Sequence, residues 1–207
     1  MYDVLKVYWS EIQANEGIHA HWAELGHAML RLKFAVSEFE NGMKHLIDLH
    51  SIYRVHYQLE NYYVRVYELR ERLYSFAAEL LKTDKKKAKN MLLKPGKKEK
   101  LLFAWPSYAR GGIDPLKQVL QALEEDIAVR NIHTHDTFVR LALNEGPCWT
   151  DIEDLWWDLE EDATSLAVVL KLVGEQGLRL VEKYKARIEY TDRRLNEFLK
   201  EALMPHL

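Results

Sequence analysis

The sequence predicts an all-α protein: a bundle of long antiparallel helices carrying a lysine-rich insertion. Three observations predict it. Apolar residues recur at alternating steps of three and four along four long stretches, the period of a helix that buries one face. Only nine Gly and five Pro occur in 207 residues, few for a turn-rich β fold. Charged residues make up 29% of the chain and are mostly Glu, Lys and Arg, which keep much of their side-chain freedom in a helix.

The elements follow in order. Leu5, Tyr8, Trp9 and Ile12 share a face of a short amphipathic piece. The first long stripe is Ile18, Trp22, Leu25, Met29, Leu32, Val36 and Phe39, with a helix stop expected near Asn41-Gly42. A second helix is expected from about Ser51, its stripe running Leu59, Tyr62, Val66, Leu69, Leu73, Phe76 and Leu80. Residues 82–100 hold nine lysines against two acids, and Pro95-Gly96, Trp105-Pro106 and Gly111-Gly112 break the region after them. This reads as a mobile insertion with a short helix near Ala88–Leu93. Asp114 as N-cap and Pro115 at the first helical position open a third long helix, which Leu116, Leu120, Leu123 and Ile127 carry to Arg130. The last begins at Thr150, where Glu153 completes capping-box spacing, and runs through Ile152, Leu155, Leu159, Leu166, Leu170, Val173, Leu180, Tyr184, Ile188, Leu195 and Phe198. Gly174 and Gly177 are candidate bends in it. We read one domain over 1–207, with N-terminal helices in 1–50 and the rest of the bundle in 51–207.

Composition narrows the function classes. One cysteine, Cys148, excludes an internal disulfide framework and a cysteine-rich zinc site, and fits a reducing compartment. The first residues carry charges among their apolar ones, unlike a secretory signal. No run approaches the ~20 apolar residues that cross a bilayer. A soluble cytoplasmic protein without a membrane partner is the expectation. The net charge is only −3, yet residues 145–162 hold eight acids and no base, opposite in sign to the lysine run.

One constellation carries chemistry. Between the third and last helices stands Arg130-Asn131-Ile132-His133-Thr134-His135, an R-N-x-x-x-H pattern. RNA is cut without a metal when its 2′-hydroxyl attacks the adjacent phosphorus. That reaction needs a group titrating near neutrality to move protons, which suits histidine. It also needs a fixed cation for the charge on the phosphorane oxygens, which suits the always-protonated fork of arginine. Asn131 is placed to support either. On a continuous helix, residues 130 and 135 stand about 140° apart, whereas 130 and 133 share a face. Either the helix breaks between Arg130 and His135 or a partner copy completes the site, and His133 stays in play beside His135.

The pattern resembles the R-x4–6-H signature of the HEPN domains, including the polar residue they favour after the arginine. Tyr62-Tyr63-Val64-Arg65 and Leu69-Arg70-Glu71-Arg72-Leu73 also look like helices that precede the motif in some members. The resemblance implies a four- or five-helix bundle, often a homodimer with the motif beside the dimer cleft. It implies a metal-independent endoribonuclease in a toxin–antitoxin pair or antiviral defence, with RNA and an antitoxin or defence-system protein as partners and no cofactor. Arg130, Asn131 and His135 match the motif. Thr137 stands where one toxin subgroup has a tyrosine that its antitoxin modifies, so that mode of neutralisation does not carry over.

An RNA enzyme of negative net charge needs a local positive field. Lys85, Lys86, Lys87, Lys97 and Lys98 are the candidates to hold substrate backbone. Two other function classes compete. A non-catalytic helical module would bind RNA or protein with an idle motif. A helical metal protein would use Glu16-x-x-His19 and Glu24-x-x-His27, the Glu-x-x-His spacing of di-iron bundles, although such sites draw their motifs from two helices. Trp156-Trp157 cannot both face one core, and one of them is expected at a subunit interface.

Overall fold

In a computed structural model, residues 16–81, 83–93, 114–135 and 163–198 are described. They form five helices: α1 (Glu16–Lys44), α2 (Leu49–Leu80), α3 (Lys85–Leu93), α4 (Asp114–His135) and α5 (Ala163–Phe198). The described residues contain no strand and are all-α. No described helix is long and apolar enough to cross a membrane. The proposed N-terminal helix, the Pro-Gly breaks, the Thr150 start and Trp156-Trp157 lie outside the described residues.

Four helices pack in a ring, α1 on α2, α2 on α4, α4 on α5 and α5 back on α1, while α3 sits against α2 and α4. Neighbours run in opposite directions. Glu24 bonds Arg72 and Arg31 pairs with Glu68 between α1 and α2. Lys33 pairs with Asp192 and Glu40 with Lys185 between α1 and α5. Across the ring α2 and α5 run parallel: Tyr62 meets Tyr184 and Phe76 meets Phe198.

The apolar stripes become one continuous core. Trp22, Leu25, Met29, Leu32, Val36 and Phe39 of α1 are buried, as are all seven stripe residues of α2 and all four of α4. In α5, Val173, Tyr184, Ile188, Leu195 and Phe198 are buried, and Leu166, Leu170 and Leu180 pack partly against them. Helices packed this way need no strong propensity, because each apolar face is hidden by its neighbours.

Two boundaries and one candidate bend differ from the pattern in the sequence. The turn Asp48 begins α2 earlier than Ser51: the Asp48 carboxylate accepts from the Ser51 amide at 2.7 Å, and the Ser51 hydroxyl closes the reciprocal bond. Gly42 does not stop α1, which runs on to Lys44. A side chain there would strike Gln58 and Val55, so the glycine lets α1 and α2 approach closely. Gly177 plays the same part against Met43 of α1, and α5 is continuous through it and Gly174.

The core also holds ionised groups. Asp126 of α4 is 2% exposed and pairs with Arg187 of α5. The Tyr62 hydroxyl donates to the other Asp126 oxygen at 2.6 Å. Tyr63 and Tyr184 join their hydroxyls at 2.9 Å, and the Tyr62 and Tyr184 rings stack with centroids 4.0 Å apart. Arg187 reaches Glu125 as well, at 2.8 Å. Burial opposes the charge on Arg187, but Asp126 outweighs it and holds the guanidinium above its ordinary range.

Breaking this cluster one-sidedly is expected to cost far more than replacing it. Asp126→Ala strips Arg187 and Tyr62 of a buried acceptor, and a loss of about 3 kcal/mol or more is expected in urea unfolding. Asp126→Leu with Arg187→Met is expected to recover most of it. A single Asp126→Ala loss below about 1 kcal/mol would show that the cluster is not buried in solution.

Candidate functional site

The motif helix α4 runs without a break from Asp114 to His135, five residues past the expected end at Arg130. Arg130, Asn131, His133 and His135 therefore occupy its last two turns. The break that would have let Arg130 and His135 share a face within one chain is absent. At 3.6 residues per turn, position 135 stands about 140° round the axis from position 130, and position 133 about 60°. The side chains of His133 and His135 lie outside the described residues. Asn131 is exposed, and Arg130 is half-buried.

Arg130 is held by an aromatic ring. Its guanidinium carbon lies 4.0 Å from the centroid of Tyr67 on α2, inside the range of cation–π attraction. The same ring carries Arg70 at 4.2 Å. Arg70 also reaches Tyr74 at 5.9 Å, and Lys89 of α3 lies 5.7 Å from Tyr74. The series Arg130, Tyr67, Arg70, Tyr74, Lys89 thus alternates cation and ring from the motif to the lysine-rich helix. Local sequence makes this possible: 67, 70 and 74 follow steps of three and four, so they share one edge of α2.

The lysines divide. Lys85 pairs with Glu71 at 2.9 Å and Lys87 with Asp84 at 3.2 Å, while Lys86 is exposed. Lys97 and Lys98 lie outside the described residues. Part of the segment read as a mobile insertion is an ordered helix, α3, longer by a turn than Ala88–Leu93. Asp84 starts it, accepting from the Lys87 amide at 2.8 Å, and Ala88 and Leu92 tie it to the core. Two cations at this place escaped the sequence reading. Lys89 stood undistinguished in the run, and Lys117 shows no signal until α4 packs against α3.

Glu71 marks the electrostatics. Burial opposes its ionisation, but Lys85 and Arg70 outweigh this and hold its carboxyl below the ordinary range. Elsewhere, the described side chains of the Glu16–His27 segment form no metal-ligating group. Glu24 is taken up by Arg72 and approaches His21 at 3.6 Å, and His27 is exposed. The side chains of Glu16 and His19 lie outside the described residues, and no group of three metal-ligating side chains occurs among those described.

No family model, curated protein or solved structure matches the chain.

The lowered Glu71 carboxyl yields a signed prediction. It binds its proton less readily in the fold than in the unfolded chain, whose glutamates titrate near 4.5. Its contribution is therefore complete above that value and fades as pH falls through the lowered folded one. Glu71→Gln is expected to reduce the slope of stability against pH below 4.5, measured by urea unfolding. An unchanged slope would mean that Lys85 and Arg70 do not hold Glu71 in solution.

Proposed function

We propose that this chain is a metal-independent endoribonuclease of the HEPN type, working as a cytoplasmic homodimer in a toxin–antitoxin pair or in antiviral defence. One observation carries the reading: the R-N-x-x-x-H run rides on the last turns of a single helix, with its arginine in a ladder of cations and rings. Arginine supplies the fixed charge and histidine the titrating group that cleavage requires.

The unbroken helix shapes the mechanism. If His135 moves the proton, it acts with Arg130 of a second copy, across a two-fold axis that brings both α4 ends to one phosphate. Histidine takes the proton of the 2′-hydroxyl as that oxygen bonds to phosphorus. The 5′-oxygen leaves and takes a proton from the second histidine, giving a 2′,3′-cyclic phosphate and a free 5′-hydroxyl. The arginines hold the charge that grows on the non-bridging oxygens, and Asn131 binds one of them. If His133 serves instead, each chain holds a complete pair.

A second reading has one observation in its favour. Arg130 is half-buried on Tyr67, as an arginine that only joins α4 to α2 would be. The chain would then bind RNA or protein without cutting.

Purified protein incubated with single-stranded RNA and a chelator separates these readings. Retained cleavage is expected, with a loss of about 10²-fold or more in Arg130→Ala. Mixing inactive Arg130→Ala with inactive His135→Ala is expected to restore part of the activity, because a mixed dimer regains one arginine and one histidine at the shared phosphate, whereas each parent has only arginines or only histidines there. Activity kept by His135→Ala and lost in His133→Ala would assign the role to His133. An inert wild-type chain, or cleavage untouched by Arg130→Ala, defeats the nuclease reading.

The lysine assignment is tested alongside. Replacing Lys85, Lys86, Lys87, Lys97 and Lys98 by Ala is expected to weaken RNA binding and flatten its salt dependence, since each lost phosphate contact lowers the slope by about 0.7 for a single strand. Equal affinity at moderate salt would return them to a solvated surface.

A further inference from the structure

The solvent side of α1 carries a second seam, apart from the stripe that faces the core. Ala23, His27, Leu30, Phe34, Ser37 and Asn41 follow steps of four and three, so they share one edge of the helix over about 28 Å. None is an acid, a lysine or an arginine. Phe34 is 63% exposed and Leu30 39%. Val64 and Tyr57 on the outer side of α2 widen the patch, at 52% and 71%. Arg31 bonds Glu68 at 2.6 Å and the two helices run antiparallel. Phe34 and Val64, each about a turn further along the bundle, therefore stand level.

A surface helix ordinarily shows water its charged residues, opposite the buried stripe. Here the charges stand on the flanks of the seam and are taken up inside the chain. Glu24 and Arg31 bond Arg72 and Glu68 of α2, while Lys33 and Glu40 bond Asp192 and Lys185 of α5. Among the described residues only Glu38 of this stretch has no ion pair. A partner recognised by charge would find little to pair with. A partner with the same neutral seam needs no such pairing, and a second copy of the chain supplies one.

We propose that α1 docks antiparallel on α1 of a second copy, about a two-fold axis near residue 32. Leu30 of each copy then packs on Phe34 of the other, and His27 meets Ser37, since facing positions stand equally far from the axis. An antiparallel pair also sets α2 beside α2, so Val64 and Tyr57 of both copies join the contact. A parallel pair would set them against the edge of α5 that carries the exposed carboxylates Glu182 and Glu189. The face is about 28 Å long and about 20 Å wide, the breadth of two helices. Two such faces hide on the order of 1,100 Å², above the ~1,000 Å² that a specific contact needs and in the range of weak, reversible ones. In the ring α1 packs on α2 and α5, diagonally across from α4. The contact is thus separate from the two-fold proposed at the α4 ends, and it stands whether or not the chain cuts RNA. Where both form, assembly continues past the dimer.

Sedimentation velocity of the full chain tests it. The mass is expected to rise with concentration through the micromolar range. Leu30→Glu with Phe34→Glu should weaken that step about tenfold or more, with an unchanged melting curve because both residues are exposed. Leu93→Glu, at an exposed leucine of α3, should leave the step as it is. Cysteine trapping in a Cys148→Ser background reads the orientation. A mixture of His27→Cys and Ser37→Cys chains is expected to form a disulfide dimer that neither gives alone. Two copies of position 27 would stand about 15 Å apart along the helices, beyond the ~7 Å that a disulfide spans. Equal masses for wild type and the seam variant at every concentration overturn the proposal. So does a mixture that traps no more dimer than either cysteine chain by itself. Neither readout involves cleavage, so a failed nuclease assay leaves the contact standing, and a failed contact says nothing against cleavage at Arg130.

Discussion

The buried pair of Asp126 and Arg187 is the constraint on which the rest of the arrangement depends. Two ionised groups in a helical core cost several kcal/mol each to desolvate, and they stay only where geometry and further hydrogen bonds offset that cost. Here those bonds come from Tyr62 and from Glu125. The pair joins α4 to α5 and, through Tyr62, both to α2. Tyr62 in turn stacks on Tyr184 across the bundle's diagonal. Burial pushes the Tyr63 hydroxyl up to about 12 and those of Tyr62 and Tyr184 higher, so all three remain neutral donors at ordinary pH. An apolar contact tolerates rotation of a helix about its axis; this network does not, since each hydroxyl and carboxylate has one place to go.

That rotational lock reaches the motif directly. Arg130 follows Asp126 by four residues, one turn along the same edge of α4. Asp126 is pinned inward to Tyr62, and Arg130, on the same edge of α4, also faces α2, where its guanidinium lies over Tyr67. Asn131 is turned to solvent by the same rotation. The half-burial of Arg130 is thus a consequence of a core contact. A guanidinium held over a ring also loses little freedom when it later meets a phosphate, so cation–π contact and phosphate binding are compatible roles for it.

Much of this fold was legible in the sequence because burial is periodic. The stripes written from Trp22 to Phe39, from Leu59 to Leu80 and from Leu116 to Ile127 are the buried faces. What pattern could not supply was everything decided between helices. Gly42 carries the composition of a stop signal, yet its role is set by Gln58 and Val55 across the interface. Asp126 breaks the apolar rule on its own helix, and only Arg187 and Tyr62, sixty or so residues away in either direction, explain it. A trace was present all the same. Asp126 falls between Leu123 and Ile127 on the apolar face, and Arg187 sits beside Ile188 and one turn from Tyr184. Opposite charges on two core-facing stripes point to a buried pair.

The site was legible in a different measure. R-N-x-x-x-H names residue types, and types constrain chemistry, but spacing alone left open whether the helix ended at Arg130. Its continuation to His135 removes one of the two arrangements that would bring that histidine to the arginine. The remaining one is a symmetric pair of helix ends, and symmetry changes the electrostatics of the argument. Two chains of net charge −3 repel at long range, so a dimer needs contacts and local fields that outweigh it within a Debye length of about 8 Å. The cations on α2, α3 and α4 are gathered on one side of the bundle by the same packing that places Arg130. On the proposed reading, an entering polyanion brings its negative charge between the two facing arginines. Substrate and dimer would then stabilise one another, since each makes the other's cluster of charge less costly.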